Sequence, residues 1–139
     1  MIARIFSCWY LSEDMSVKRN TIRVAIVDDD ESMRAAIEDL LGSVGINARS
    51  FASAEEFLSS GLQNHIGCLI SDIRMPGMNG LELQARLVAE GSRVPIIFIT
   101  AHGNPRMRTQ ALSSGAIEFL GKPFENEKLL GSVRAALGT

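Results

Sequence analysis

With 139 residues, 46% of them apolar and 22% charged, the chain is long enough to bury the core of one domain and too apolar to stay disordered. A net charge of −2 argues against non-specific binding to nucleic acid through a basic surface. Two cysteines, Cys8 and Cys68, offer neither a zinc spacing nor a disulfide framework, which fits a reducing cytosol, and no apolar run reaches the ~18 residues of a membrane span.

Residues 1–20 read as an N-terminal extension, mobile or peripherally docked, ahead of a domain over 21–139. The apolar stretch at 5–11 is too short to span a bilayer and has no small-residue cleavage site behind it. Trp9 within it reads as a tail residue. Met15 is a candidate start, because Val17-Lys18-Arg19-Asn20 leads directly into the first strand.

From residue 22 the pattern alternates strand and helix five times, at the short spacing of βα units. Strands are predicted near 22–27, 46–51, 67–71, 94–99 and 117–120. The helices fall near 31–44, 53–60, 80–90, 105–114 and 125–137. Met33, Ile37, Leu40, Leu41 and Val44 recur at helical spacing and give the first helix one core-facing stripe. Ser53-Ala54-Glu55-Glu56 reads as a capping box for the second helix. Gly45, Gly61, Gly91 and Gly115 stand where a chain turns left-handed after a helix.

The first, third and fourth strands are almost continuously apolar, as expected of a parallel sheet covered on both faces. The second is interrupted by Asn47, Arg49 and Ser50, and the fifth carries Glu118. Those two are predicted to be the edges. The fold class is α/β with strand order 2-1-3-4-5, and in such sheets the site lies beyond the carboxyl ends of the central strands.

Polar groups of complementary type stand at those ends. Val24-Ala25-Ile26-Val27 breaks into Asp28-Asp29-Asp30, and Cys68-Leu69-Ile70-Ser71 ends in Asp72. Ile96-Ile97-Phe98-Ile99 ends in Thr100, and Ile117-Glu118-Phe119-Leu120 runs into Gly121-Lys122-Pro123. Two carboxylates ~5 Å apart at an effective dielectric of ~20 repel by roughly 3 kcal/mol. A proton, a cation or a basic side chain must therefore be near. Asp28, Asp29 and Asp72 set three negative charges against one from Lys122, and the remainder suits a hard divalent cation, above all Mg²⁺. A carboxylate beside such an ion, faced by a lysine and a hydroxyl, can accept a phosphoryl group. Thr100 and a backbone N–H after it would donate to the transferring oxygens, and the product is an acyl phosphate on Asp72.

Taken singly, each residue has a duller reading. A strand-end Asp is commonly a turn or cap residue, Thr100 a hydroxyl bonded to backbone, and Lys122 a solvated charge. Met75 and Met78 read as loop packing, because a hard cation has no use for thioethers. The ordered set carries the specificity.

That set resembles the receiver (response regulatory) domain of bacterial two-component response regulators, over nearly all of 22–137. Asp28-Asp29, Asp72 followed by Met75-Pro76 and Gly80, Thr100-Ala101 and Lys122-Pro123 carry the likeness. Residues 72–76, 100–103 and 122–124 look most similar to the nitrogen-fixation or LuxR-class branch. The resemblance implies a flavodoxin-like (βα)5 three-layer sandwich; the chemotaxis regulator, a relative, has the same 2-1-3-4-5 order, so the topology is partly carried over.

By resemblance Asp72 is the phospho-acceptor. Asp29 and Asp72 would supply carboxylates to Mg²⁺ (or Mn²⁺), Asp28 would hold a metal-bound water, and the backbone carbonyl of Arg74 would complete the protein ligands. The Ala101 N–H would contact the phosphoryl group. Thr100 and Phe119 would form a switch pair, Thr100 swinging toward the phosphoryl group and the ring turning inward, so that the surface of helix four, strand five and helix five is remodelled. The Lys122–Pro123 bond is expected to be cis, and Arg74 and His102 to flank the path of attacking water. Partners so implied are a sensor histidine kinase and a downstream target protein or a phosphorylation-dependent homodimer, in the cytoplasm and without membrane contact. Enzymatic activity is expected to reach no further than self-phosphorylation and slow self-dephosphorylation.

The sequence also departs from that branch. Arg106 and Arg108 add positive charge to helix four, read here as a solvated face, and Gly121 stands where relatives often carry a bulkier or acidic residue. No helix-turn-helix output domain is encoded before Thr139, so no direct DNA recognition is inferred. Three other readings compete. A haloacid-type phosphatase matches the Asp28–Asp30 spacing but lacks the family's threonine or valine setting and cap domain. A nucleotide or flavin binder needs a phosphate-cradling loop where Asp28-Asp29-Asp30-Glu31 would repel it. A phosphorylation-independent binding module on the same fold has no reason to keep a tight metal site.

Overall fold

The computed structural model of the chain describes residues 21–101 and 103–138. The N-terminal extension with Trp9 and Met15 lies outside the described residues, as does His102.

The elements run β1 Val24–Val27, α1 Glu31–Ser43, β2 Ala48–Phe51, α2 Ala54–Ser60, a short 3-10 turn Leu62–Asn64, β3 Cys68–Asp72, α3 Gly80–Ala89, β4 Ile96–Thr100, α4 Pro105–Ser113, β5 Glu118–Gly121 and α5 Asn126–Leu137. All strand pairs are parallel, in the order β2-β1-β3-β4-β5. This is the flavodoxin-like fold expected, with the two interrupted strands at the edges. Residues on alternate sides of the sheet feed two cores. Val27, Leu69 and Phe98 pack with Phe57 of α2, Leu83 and Leu87 of α3 and Ala111 of α4. On the other face Ile26, Ile70 and Ile97 pack with Ile37 and Leu41 of α1 and Leu129 and Val133 of α5. Every residue of β1, β3 and β4 is buried, including Cys68. Desolvation pushes that thiol up to about 12, so Cys68 packs as a small apolar group.

Several local expectations need correction. β2 begins two residues late, at Ala48, because the chain first closes α1: the Ile46 N–H donates to the Leu41 carbonyl at 3.0 Å. The stripe of α1 buries Ile37 and Leu41, but Val44 is its C-cap and stays 37% exposed. The Ser53 hydroxyl accepts from the Glu56 N–H at 3.1 Å, yet Glu56 returns its bond to Ala52 rather than to Ser53, so the box is displaced by one residue. A fully reciprocal box opens α3 instead, between Asn79 and Glu82 at 2.8 and 2.9 Å. All four predicted left-handed glycines have positive φ, from 76° at Gly61 to 106° at Gly115. The Lys122–Pro123 bond is cis.

Gly80 fixes where the acidic end of β3 meets α3. Its N–H donates to the Ile73 carbonyl at 2.8 Å, and a Cβ there would run into the Asp72 carbonyl oxygen and come within 2.9 Å of Ile73 Cα. Gly131, on the exposed side of α5, has nothing within 4 Å of that position. Gly80→Ala should therefore destabilise the chain by about 1–3 kcal/mol through overpacking, whereas Gly131→Ala should stabilise it by up to ~1 kcal/mol through helix propensity. Urea unfolding of both variants checks the contrast, and equal effects would contradict it.

Candidate functional site

The carboxyl ends of β1, β3 and β4 lie side by side, so the residues that terminate them share one end of the sheet. Asp28 is fully buried, Asp72 is 7% exposed and Thr100 is 1% exposed, while Asp29 is exposed. One oxygen from each of Asp28, Asp29 and Asp72 lies within 4.8 Å of the others. From the loop after β5, the Lys122 Nζ donates to Asp28 Oδ2 at 2.9 Å and to Asp72 Oδ2 at 3.4 Å. The Lys122 N–H, bound to the Thr100 carbonyl at 2.9 Å, holds that loop against β4.

Backbone groups fix the remaining oxygens. Asp28 Oδ1 accepts from the Asp30 N–H at 2.9 Å, and Asp72 Oδ1 from the Ile73 N–H at 2.7 Å. Burial, then the charge of Asp28, hold the Asp72 carboxyl above the usual carboxylate range, although Lys122 and the Ile73 amide pull the other way. Burial alone would push Lys122 down; the hydrogen bond and charge of Asp28, with Asp72 adding to them, hold it above its usual range instead. Three carboxylates face one ammonium, which leaves the cluster short of positive charge. A hard divalent cation with oxygen ligands fits that deficit and that donor set.

Of the other predicted residues, Phe119 is 8% exposed. The Gly103 backbone lies against both members of the predicted switch pair: a Cβ there would be 2.7 Å from Thr100 Cγ2 and 2.9 Å from Phe119 Cε1. The Phe119 ring is thus buried close to Thr100. Ala101 is exposed just past β4, and Arg74 lies in the loop after Asp72 with its side chain exposed.

Asp30 stands apart from the acidic cluster. Its side chain accepts from the Ser32 and Met33 N–H groups as the N-cap of α1, which removes the second Asp that a haloacid-type phosphatase needs. Two residues escaped the sequence reading. Arg34 donates from α1 to the Asp28 carbonyl at 2.8 Å, one helical turn past the cap, a spacing that hints at such a contact. Glu55 reaches the loop after Asp72 from α2, and no periodicity points to it.

The family model for the response regulator receiver domain matches residues 24–134. This chain belongs to the response regulator receiver domain family. It is 46% identical over 114 residues to the response regulator protein TmoT of Ectopseudomonas mendocina, which covers 82% of this chain and 52% of that protein. It is 38% identical over 118 residues to the transcriptional regulatory protein FixJ of Azorhizobium caulinodans, covering 85% of this chain and 56% of that one. Among solved structures, response regulator StyR superposes with a TM-score of 0.78 at 44% identity, over 85% of this chain and 60% of StyR. A receiver protein from Burkholderia phymatum gives 0.72 at 45%, over 84% of this chain and 95% of that one. These relatives agree with the nitrogen-fixation branch expected from residues 72–76 and 100–103. The chain spans about half the length of the curated relatives it matches. Receiver domains are not a classical enzyme family, and the triad is of the type at which they hold Mg²⁺. Among the described residues, no helix is long and apolar enough to cross a membrane.

Removing the Asp72 charge relieves its desolvation and its repulsion with Asp28 at the cost of one long Lys122 contact. In metal-free buffer Asp72→Asn should therefore be more stable than the wild type, by roughly 1 kcal/mol, and Mg²⁺ should narrow or reverse the difference. Thermal melts with and without Mg²⁺ check this; a less stable Asn variant in chelator would contradict it.

Proposed function

We propose that the chain is a phospho-accepting signalling switch, in which Asp72 takes a phosphoryl group from the phosphohistidine of a sensor kinase. The observation that carries this reading is the convergence on Asp72 of Asp28 and Lys122 from distant strands, with Lys122 Nζ 3.4 Å from Asp72 and 2.9 Å from Asp28. Asp29, Asp72 and the Arg74 carbonyl would hold Mg²⁺ (or Mn²⁺), with Asp28 on a metal-bound water. Once bound, that ion neutralises the phosphoryl oxygens as charge shifts between donor and acceptor.

The chain's own residues do the rest. An Asp72 oxygen forms the new P–O bond as the P–N bond breaks, and the electron pair stays on the histidine nitrogen, which takes up a proton. Lys122, poised between two carboxylates, turns its ammonium to a phosphoryl oxygen. The Thr100 hydroxyl and Ala101 N–H donate to the others. Thr100 and Phe119, both against Gly103, pass the change to the β4–α4 loop, and the phosphoryl group selects one of two conformers of the α4–β5–α5 face. Through that face the domain, working in the cytoplasm, engages a target protein or a second copy rather than DNA.

Incubation with acetyl phosphate and Mg²⁺ should give a phosphate adduct on the wild type and none on Asp72→Asn. Chelator should abolish labelling, and Lys122→Met should slow it by about 100-fold or more, the loss typical of one transition-state charge stabiliser. Intact-mass spectrometry reads all four. Equal labelling of Asp72→Asn would overturn the acceptor, and no labelling of the wild type would favour a binding module indifferent to phosphorylation.

A further inference from the structure

Glu55 belongs to the exposed first turn of α2, yet its carboxylate reaches across to the loop that follows Asp72. Its Oε2 accepts from the Met78 N–H at 2.9 Å, a contact spanning 23 residues of sequence. The same carboxylate lies on Gly77: a Cβ there would be 2.8 Å from Oε2, and Gly77 has φ +76°. Backbone and carboxylate thus close on each other in a conformation that costs little only for glycine. The Met78 amide holds the Glu55 carboxyl below its ordinary range, so the acceptor is ionised at neutral pH.

The rest of the loop is fixed at its base. The Ile73 N–H donates to Asp72 Oδ1 at 2.7 Å, the Gly80 N–H closes back on the Ile73 carbonyl at 2.8 Å, and the Ile73 and Met75 side chains are buried. Pro76 and Gly77 at the crest are exposed and add little packing of their own. Arg74 lies between that base and the crest, and its carbonyl is the one backbone ligand in the metal site proposed above.

We infer that Glu55 is a positioning residue for the metal site: by gripping the crest at Gly77–Met78 it sets the loop that presents the Arg74 carbonyl to the divalent cation. The inference rests on the metal-site reading of Asp29, Asp72 and Arg74. Its role is geometric, through an accepted hydrogen bond, so a neutral acceptor of the same shape can replace it.

The test is Mn²⁺ titration of the full chain followed by electron paramagnetic resonance of the free ion, with thermal melts alongside. Wild type, Asp29→Asn, Glu55→Ala, Glu55→Gln and Glu56→Gln are compared. Expected are binding by the wild type, loss of it in Asp29→Asn, and about tenfold weaker binding in Glu55→Ala at a nearly unchanged melting temperature. Glu55→Gln, which keeps an acceptor, and Glu56→Gln, which removes the same charge from the same helix, should stay within twofold to threefold of the wild type. If Asp29→Asn fails to bind while Glu55→Ala binds like the wild type, Glu55 has no positioning role, although the metal site stands. If Glu55→Gln falls as far as Glu55→Ala, the effect is one of charge and the inference is overturned. Wild-type chain that takes up no Mn²⁺, or Asp29→Asn that binds equally well, overturns the metal-site reading and this inference with it.

Discussion

A lysine from the last loop of the sheet sits 2.9 Å from a fully buried aspartate of β1 and 3.4 Å from a nearly buried one of β3. Two carboxylates taken from water this close to each other would be costly alone. Lys122 offsets part of that cost and ties three separate chain segments to one point. It does not offset all of it, which is why the Asp72 carboxyl stays above the ordinary range. The residual negative charge is the physical basis of the site: it suits a hard cation, and in the proposed function that cation lets the cluster receive a phosphoryl group it would otherwise repel.

The fold supplies this arrangement through strand order. Placing β1 between β2 and β3, and β4 beyond β3, aligns the carboxyl ends of three fully buried strands. Neighbouring groups then fix these residues in place: the Asp28 carboxylate through the Asp30 amide and its backbone carbonyl through the Arg34 guanidinium of α1, Asp72 through the Ile73 amide, and the Lys122 loop through the Thr100 carbonyl. Gly80 permits the close return of α3 on the end of β3. The scaffold is rigid below the site, while Gly103 links the Thr100 and Phe119 side chains to the start of α4, the lightly buried helix in which only Ala111 is fully covered.

Strand order and the three strand-end groups were legible in the sequence because both follow from short-range signals. Continuous apolar runs mark central strands, Asn47, Arg49, Ser50 and Glu118 mark the edges, and the acidic ends follow each run without a gap. Helix stops were legible for the same reason at Gly45, Gly61, Gly91 and Gly115. Contacts without a local pattern were not. The Glu56 carboxylate takes the Ala52 N–H rather than that of Ser53, and the delayed start of β2 depends on how α1 closes on Ile46. The Glu55–Met78 bond joins the first turn of α2 to a loop 23 residues on. Asp30 follows Asp28 and Asp29 directly, yet its position before α1 makes it a cap, so the Asp28–Asp30 spacing of a haloacid-type phosphatase is a local coincidence.

The interaction on which the rest depends is measured most directly by a double-mutant cycle between Asp28→Asn and Lys122→Met, from urea unfolding of the metal-free chain. A largely buried pair at 2.9 Å, with Asp28 fully covered and the Lys122 side chain 14% exposed, predicts a coupling energy of about 1 kcal/mol or more. Additive effects within about 0.5 kcal/mol would mean that Lys122 is not held by Asp28, and the electrostatic account of the site would fail.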